Sequence, residues 1–385
     1  MQLRGIRRAV RVDLSGLPYA PAAMKPLRVG INGLGRIGRT LLRLGAERLA
    51  AERGEDARGW APHGTNGNAR PGRPIEIVAA NDLLTTKQLA YLLRYDSVHG
   101  RARVAVQVEG DDLTYGPLRV RRFNERDPGA IPWDDLGIDV IFECTGVFHR
   151  RAELERHLVR APRVVLGQPG EADAMVVVGV NDEALAAPGL RIVSAASCTT
   201  HATAPVLHVL DRAFGVRWAL LGTVHAYTAG QALIDGAVKG SDMRRGRAAG
   251  ENIVPTTTHA TAALTSVLPS LAGKLAGSSI RVPVSDGSMW DLTVTLGGSP
   301  TLDQVIEALR DAADGPRLRG VLHVTDEPLV SSDIVGDPHS SIVDVGASLA
   351  AGPLIRLQGW YDNETGYAAR LLDLVAAWSG HWPAA

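Results

Sequence analysis

Cysteine is almost missing from this 385-residue chain, which carries only Cys144 and Cys198. Two distant thiols make neither a disulfide framework nor a zinc cluster, so no metal is expected and a reducing cytoplasm is the compartment they fit. Long apolar runs are missing too. No stretch approaches the roughly 20 residues that a membrane helix needs, and no membrane partner is expected. Nor does either sign of charge dominate, because Lys plus Arg and Asp plus Glu number 41 each. Without a global field, no nucleic-acid partner is expected. Internal repeats and low-complexity tracts are absent as well. What the chain does have is 42 glycines beside 45% hydrophobic and 21% charged residues, the composition of a globular protein with many tight turns. Its length exceeds what one core usually serves, so two domains are expected. Each thiol is then either a small buried hydrophobe or a reactive group.

Residues 1–24 are rich in arginine and lack the apolar region of a signal peptide, so they read as a flexible extension, with Met24 as an alternative start. The segment LRVGIN, Leu27 to Asn32, reads as a strand and Ile37 to Leu49 as a helix. IEIVAAND, Ile75 to Asp82, reads as a second buried strand, and the Gly-, Pro- and charge-rich 51–74 segment as an inserted surface loop. Strands at Val140 to Glu143 and Val164 to Leu166, with a helix at Ala152 to Leu158 between them, extend an alternation that predicts a parallel, doubly wound sheet. After Cys198 a helix to Phe214 leads into the alternating segments TVHAYT, MWDLTVTL, EPLVSSD and SIVDVG. These predict an α+β domain with a mostly antiparallel sheet. The expected layout is a first domain at 25–197, a catalytic domain at 198–363 and a C-terminal segment, 364–385, docking back onto the first. In that segment Leu371, Leu372, Val375 and Trp378 share one helical face.

Gly33, Gly35 and Gly38 form G-x-G-x-x-G between a strand and a helix. The first glycine permits the tight turn, the second lets a pyrophosphate approach the backbone, and the third lets the helix pack on the strand. The first domain is therefore expected to be of the Rossmann type, with a dinucleotide at the helix N-terminus. Asp82, closing the second strand, is the candidate acceptor for the adenine ribose hydroxyls and favours NAD over NADP. Its alternative role is to cap a turn.

The segment SAASCTTHATAP puts Cys198 at a helix N-terminus, which lowers a thiol pKa and offers backbone N–H groups to an oxyanion. Ser197 and Thr199 add hydroxyls. Spacing alone does not choose a base among eleven histidines. His225, in TVHAYT, is the best placed, the alternative being a satisfied core histidine.

The ordered series GINGLGRIGR, AAND, YDSVHG, ECTGVF, SAASCTTHATAP, TVHAYTAGQ, RRGRAA, RVPVSDGSMWDLTV and GWYDNETGY resembles the phosphorylating glyceraldehyde-3-phosphate dehydrogenases from about Lys25 onward. The resemblance implies oxidation of glyceraldehyde 3-phosphate to an acyl phosphate in glycolysis, with NAD as cofactor and inorganic phosphate as co-substrate, in a cytoplasmic homotetramer. It implies Cys198 as nucleophile and His225 as base, titrating as a coupled thiolate–imidazolium pair. It places the substrate phosphate on Thr228 and Arg281, and the attacking phosphate on Ser197, Thr199, Thr258, His259 and Arg245. It adds Asn32, Arg36, Ile37 and Thr145 to the cofactor set, with Asn363 on the nicotinamide carboxamide.

Four departures stand out. His201 and Ala202 replace the Asn and Cys that usually follow C-T-T, and His259 replaces a glycine beside Thr258. The 236–243 loop lacks its usual proline, has Ala237 nearby and is longer by about two residues, a change that loops tolerate. In the family this loop reaches a neighbouring subunit's cofactor pocket, so the margin between NAD and NADP stays open. Two alternative functions remain: an erythrose-4-phosphate dehydrogenase, and an impaired nucleotide-binding or interaction protein of the same fold.

Overall fold

The structure is a computed structural model that describes residues 25–54, 73–238 and 242–382. The extension expected at 1–24, all but the ends of the 51–74 insert, residues 239–241 of the altered loop and the last three residues lie outside the described residues.

Short runs of Val, Ile and Leu closed by turn residues form buried parallel strands. Among the described residues the first sheet has nine strands, in the order Ala174–Met175, Ile192–Ser194, Val164–Leu166, Val140–Glu143, Leu27–Asn32, Ile75–Asn81, Leu118–Phe123, Asp112–Tyr115 and Val106–Glu109. The pairings from Ala174–Met175 to Leu118–Phe123 are all parallel, and the last two strands add an antiparallel edge. That edge was not anticipated, because VQVE and DLTY are only four residues long. Leu27–Asn32 has Ile75–Asn81 on one side and Val140–Glu143 on the other. The winding reverses there, and a crevice opens at the C-terminal strand ends.

The second sheet runs Val254–Thr256, Leu275–Val282, Val216–Ala226, Ser288–Leu296, Leu354–Tyr361, Ser341–Ala351 and Leu322–Thr325. Four of its six pairings are antiparallel. EPLVSSD is not a strand: Ser331–Ile334 is a 3₁₀ turn, held by the Asp333 carboxylate, which accepts the Val330 N–H at 2.8 Å. Local side-chain bonds of this kind compete with a strand ladder. The expected helix at Ala152 to Leu158 is likewise a single turn, Arg151–Leu154, followed by a 3₁₀ turn, His157–Val159.

Among the described residues two large hydrophobic cores result, beside two smaller clusters. The first joins the parallel sheet to helices Arg36–Glu52 and Thr365–Ser379. The second joins the other sheet to helices Cys198–Phe214, Ala260–Val267 and Leu302–Asp314. Cys198 packs against both. The C-terminal helix is buried nearly all round rather than along one stripe. Arg48 of the first helix pairs with its Asp373 at 2.8 Å. Leu371 is wholly buried in this helix pair. Leu371→Ala is expected to destabilise the protein by about 2–5 kcal/mol, through lost transfer energy and the cavity left behind. A urea unfolding midpoint equal to that of the unsubstituted protein would contradict this packing.

Candidate active site

The glycine turn is explained atom by atom. Gly33 has φ +95°, and a Cβ there would lie 2.8 Å from the Thr145 backbone nitrogen. A Cβ on Gly38 would lie 2.0 Å from the Gly33 carbonyl oxygen. Around Gly35, by contrast, a Cβ would meet nothing within 4 Å, so the turn leaves open space at the N-terminus of helix Arg36–Glu52. A pyrophosphate fits such a place, where first-turn N–H groups have no partner within the helix.

Other members of the cofactor set line the same strand ends. Asp82 is half-buried, and both its oxygens accept backbone N–H groups, Leu34 at 2.7 Å and Leu84 at 2.8 Å. The carboxylate therefore ties the second strand to the glycine turn, and its remaining lone pairs are the ones a ribose would meet. Asn32 lies beneath the crevice, donating to Glu143 Oε2 at 2.6 Å and accepting from Asn81 at 2.8 Å. Glu143 also accepts the backbone and hydroxyl hydrogens of Thr145 and bonds the buried His157 at 3.0 Å. Arg36 turns its guanidinium away from the glycine turn, to Asp96 at 2.8 Å and to both oxygens of Glu364. Asn363, next to Glu364, accepts the Ser288 hydroxyl on Oδ1 at 2.6 Å, which leaves its Nδ2 hydrogens free to meet a carboxamide oxygen.

The strand Ile192–Ser194 ends the parallel sheet, turns through Ala195 to Ser197, and enters the helix at Cys198. Ser197 caps that helix by accepting the Thr200 N–H at 3.2 Å. Cys198 Sγ stands 3.5 Å from His225 Nε2, and His225 Nδ1 lies 2.7 Å from both the Ala226 carbonyl and Arg281 Nη1. The Ala226 carbonyl can only accept and Arg281 Nη1 can only donate, so Nδ1 meets opposite demands; with its hydrogen on Nδ1, turned to the carbonyl, the ring presents a bare Nε2 to the thiol. Tyr361 lies edge-on to the imidazole and bonds the Thr199 hydroxyl at 3.1 Å.

The expectation of a lowered thiol pKa is corrected here. Burial raises the Cys198 pKa, and the Arg281 charge and the Thr199 hydrogen bonds only partly oppose it. Burial lowers His225 to about 3, with the Arg281 charge adding to the fall. Neither group favours its charged form alone.

Of the phosphate candidates, Arg281 and Arg245 act on this pair. Arg281 is half-buried, with its Nε buried and unpartnered. Arg245 donates to Thr256 at 3.2 Å, and its charge also acts on His225. Thr228 is exposed just beyond the His225 strand, and Thr258 accepts the Ala260 N–H at 3.1 Å. His259 is exposed at the start of helix Ala260–Val267, with φ −92°, so no left-handed backbone there demands a glycine.

Sequence reading missed Ser288, Tyr361, Tyr367 and Glu364. The alternation of Ser288–Leu296, in which Ser288, Trp290, Leu292, Val294 and Leu296 are buried, is the signal that could have put Ser288 inside. A cluster of His99, Asp286 and Asp362 adjoins Glu364. His99 Nε2 bonds Glu364 at 2.9 Å, and Asp362 accepts the N–H groups of Gly336, Glu364 and Thr365. Asp286 accepts the Gly287 N–H. Burial and the Asp362 charge therefore hold the Asp286 pKa well above the usual carboxylate range.

Comparison with known proteins agrees with this geometry. The family described as "Glyceraldehyde 3-phosphate dehydrogenase, NAD binding domain" matches residues 67–151, and the corresponding C-terminal domain family matches residues 197–363. Glyceraldehyde-3-phosphate dehydrogenase 2 of Streptomyces avermitilis is 42% identical over 91% of this chain and 97% of its own. The glyceraldehyde-3-phosphate dehydrogenases of Mycolicibacterium smegmatis and Mycobacterium tuberculosis are 43% and 44% identical, again over 91% of this chain and over 98% and 97% of theirs.

A test of the acid cluster follows from linkage. Asp286 keeps its proton in the folded state at pH values where the unfolded chain has released it, so its contribution to stability is lost as pH rises above about 4. Asp286→Asn removes that penalty while retaining the Gly287 acceptor. Below pH 4 the two proteins should be equally stable, and the advantage of the variant should grow by up to about 1.4 kcal/mol per pH unit above it. A stability difference that does not change between pH 5 and 8 in urea titrations would contradict the retained proton.

Proposed function

This chain belongs to the glyceraldehyde-3-phosphate dehydrogenase family, and on that premise we propose that its Cys198–His225 pair catalyses the family's NAD-dependent oxidative phosphorylation of glyceraldehyde 3-phosphate. The observation that carries the reading is the 3.5 Å approach of Cys198 Sγ to His225 Nε2, with Arg281 beside the ring. The proton passes from thiol to imidazole as the sulfur bonds to the aldehyde carbon, and the imidazolium returns it to the new oxyanion. Neutral His225 then withdraws the hemithioacetal hydroxyl proton as hydride leaves the carbon. Bound NAD supplies the hydride acceptor, held by the N–H groups at Gly35, Arg36 and Ile37, by Asp82 and Thr145, and by Asn363. Inorganic phosphate next attacks the thioester carbon, and Cys198 leaves as a thiolate paired with protonated His225.

We assign the substrate phosphate to Thr228 and Arg281, and the attacking phosphate to Ser197, Thr199, Arg245, Thr258 and His259. Arginine forks and hydroxyls suit a doubly charged anion. The proposed domains are 25–197 and 198–363, with the C-terminal helix in the first core. A homotetramer is proposed from exposed apolar surface: Trp218, Leu220 and Leu354 border a concavity of about 390 Å³ on the outer face of the second sheet, and Leu233, Ile234, Met243 and Ile253 are exposed on the segment after His225. No helix among the described residues is long and apolar enough to cross a membrane. The two free cysteines fit a cytoplasmic location.

The deciding assay follows NADH absorbance with glyceraldehyde 3-phosphate and phosphate, repeated with NADP and with erythrose 4-phosphate. No NADH formation with glyceraldehyde 3-phosphate would end the reading. Cys198→Ser is expected to abolish oxidation. Cys144→Ser should stay active, since burial and Glu143 hold the Cys144 thiol firmly protonated. Equal loss from both folded variants would contradict the assignment. His259→Gly should lower the KM for phosphate at pH 8 severalfold and leave the first NADH burst unchanged, because it opens the approach beside Thr258. An unchanged phosphate KM at both pH 6.5 and 8 would remove His259 from the site.

A further inference from the structure

The turn into the Cys198 helix is strained. Ala196 has φ +52°, and among the described residues Ser299 is its only non-glycine companion at positive φ. Such a residue costs on the order of 1 kcal/mol or more and persists only when its surroundings hold it. Two consecutive carbonyls of the turn are held by ring donors. Ala195 O accepts from His201 Nε2 at 2.9 Å, and Ala196 O accepts from the Tyr367 hydroxyl at 3.1 Å. The two rings meet edge to face, 5.6 Å apart. His201 therefore reaches back over the first turn of its own helix, where its N–H bonds Ser197 O at 2.9 Å, and grips the chain just before that helix.

The choice of histidine here has a cost that identifies its use. The ring is 1% exposed and its Nδ1 has no partner. A bare buried acceptor costs about 1–3 kcal/mol, and an apolar residue of similar size would avoid that cost. Because Ala195 O can only accept, the hydrogen must sit on Nε2. Burial and the Arg370 charge lower the ring pKa to about 3, so this tautomer stays neutral throughout the working range. Only the Nε2–H donor remains as the property that a methionine or leucine would not supply.

We propose that His201 is a positioning residue for Cys198: its Nε2–H fastens Ala195 O, keeps Ala196 in the left-handed conformation, and so aims the Cys198 sulfur and the first-turn N–H groups at His225 and the reacting carbonyl. This rests on the reading of Cys198 as nucleophile. Without the bond, Ala196 can relax toward negative φ, and the 3.5 Å approach of Sγ to Nε2 widens.

The test compares His201→Met, which keeps bulk without a donor, with His201→Gln, whose side-chain amide places an N–H near the same point. Alkylation of Cys198 by iodoacetamide is followed against pH by mass spectrometry of its peptide, alongside the pre-steady-state NADH burst. His201→Met should slow both by about tenfold, equivalent to about 1.4 kcal/mol, and move the alkylation profile to higher pH, with the KM for NAD unchanged. His201→Gln should stay near the unsubstituted protein. Alkylation does not require turnover, so a protein without any NADH burst would sink the functional reading yet still test His201. A normal alkylation profile in His201→Met, or equal impairment of the Met and Gln variants, would overturn the proposal. Should His201→Met not fold, His201→Leu, shorter and equally without a donor, takes its place, and an unchanged alkylation profile in that variant would overturn it too.

Discussion

Everything at the site depends on one constraint, that Cys198 sits on the seam between two hydrophobic cores. The chain reaches it from a strand of the parallel sheet and leaves it in a helix whose buried face belongs to the other core. Sγ is thus located by both packings together. His225 comes from the second sheet and the glycine turn from the first, so neither core alone assembles a nucleophile, a base and a cofactor crevice. The Ala226 N–H donates to Ser288, whose hydroxyl in turn holds Asn363, so the base and the candidate carboxamide holder are coupled through one side chain.

The electrostatics follow from the same burial. Desolvation outweighs the Arg281 charge and the Thr199 hydrogen bonds at Cys198 and outweighs the Ala226 carbonyl at His225, so neither group takes up a charge alone. A lone charge at either would be expensive in so dry a place, whereas a proton crossing the short gap creates both charges together and recovers much of that cost by attraction. Arg281 lies on the far side of the imidazole and disfavours an imidazolium. An anionic phosphate beside Arg281 would offset that repulsion. Arrival of a phosphorylated substrate therefore makes the ion pair easier to form where it is needed.

The parts legible in the sequence were those with local causes. Gly33 and Gly38 act through contacts within a few residues or across one strand, and Cys198 at a helix start follows from its own segment. Asp82 shows the limit: its place was readable, but its bonds to Leu34 and Leu84 depend on how the glycine turn folds back. Tyr367 acts on a residue far along the chain, and the alternation that could have put Ser288 inside does not show that it bonds Ala226 and Asn363. The C-terminal helix read as having one apolar face, yet its polar residues Arg370 and Asp373 are buried as a pair, which hides full burial behind an amphipathic pattern. His201 stood out only by departing from the family, and its role needed the carbonyl it reaches.

The Arg36 side chain shows how the two halves share a site. Its guanidinium is committed to Asp96 and Glu364, and Arg43 also pairs with Asp96 at 3.3 Å. Around this junction stand the carboxylates of Asp96, Asp362 and Glu364 against two arginines, with His99 bridging toward the group. A fourth ionised carboxyl would leave buried like charges unbalanced, and the proton on Asp286 removes that imbalance. Arg36 is therefore more useful as the clasp between the glycine turn and the Asn363 segment than as a free cation for a pyrophosphate. In the proposed site Arg36 and Ile37 would meet the cofactor through their backbone N–H groups, which the helix leaves without partners beside the open space at Gly35. Clasp and cradle are in this way separate parts of one residue, and the clasp sets the distance between the two ends of the crevice that the dinucleotide must span.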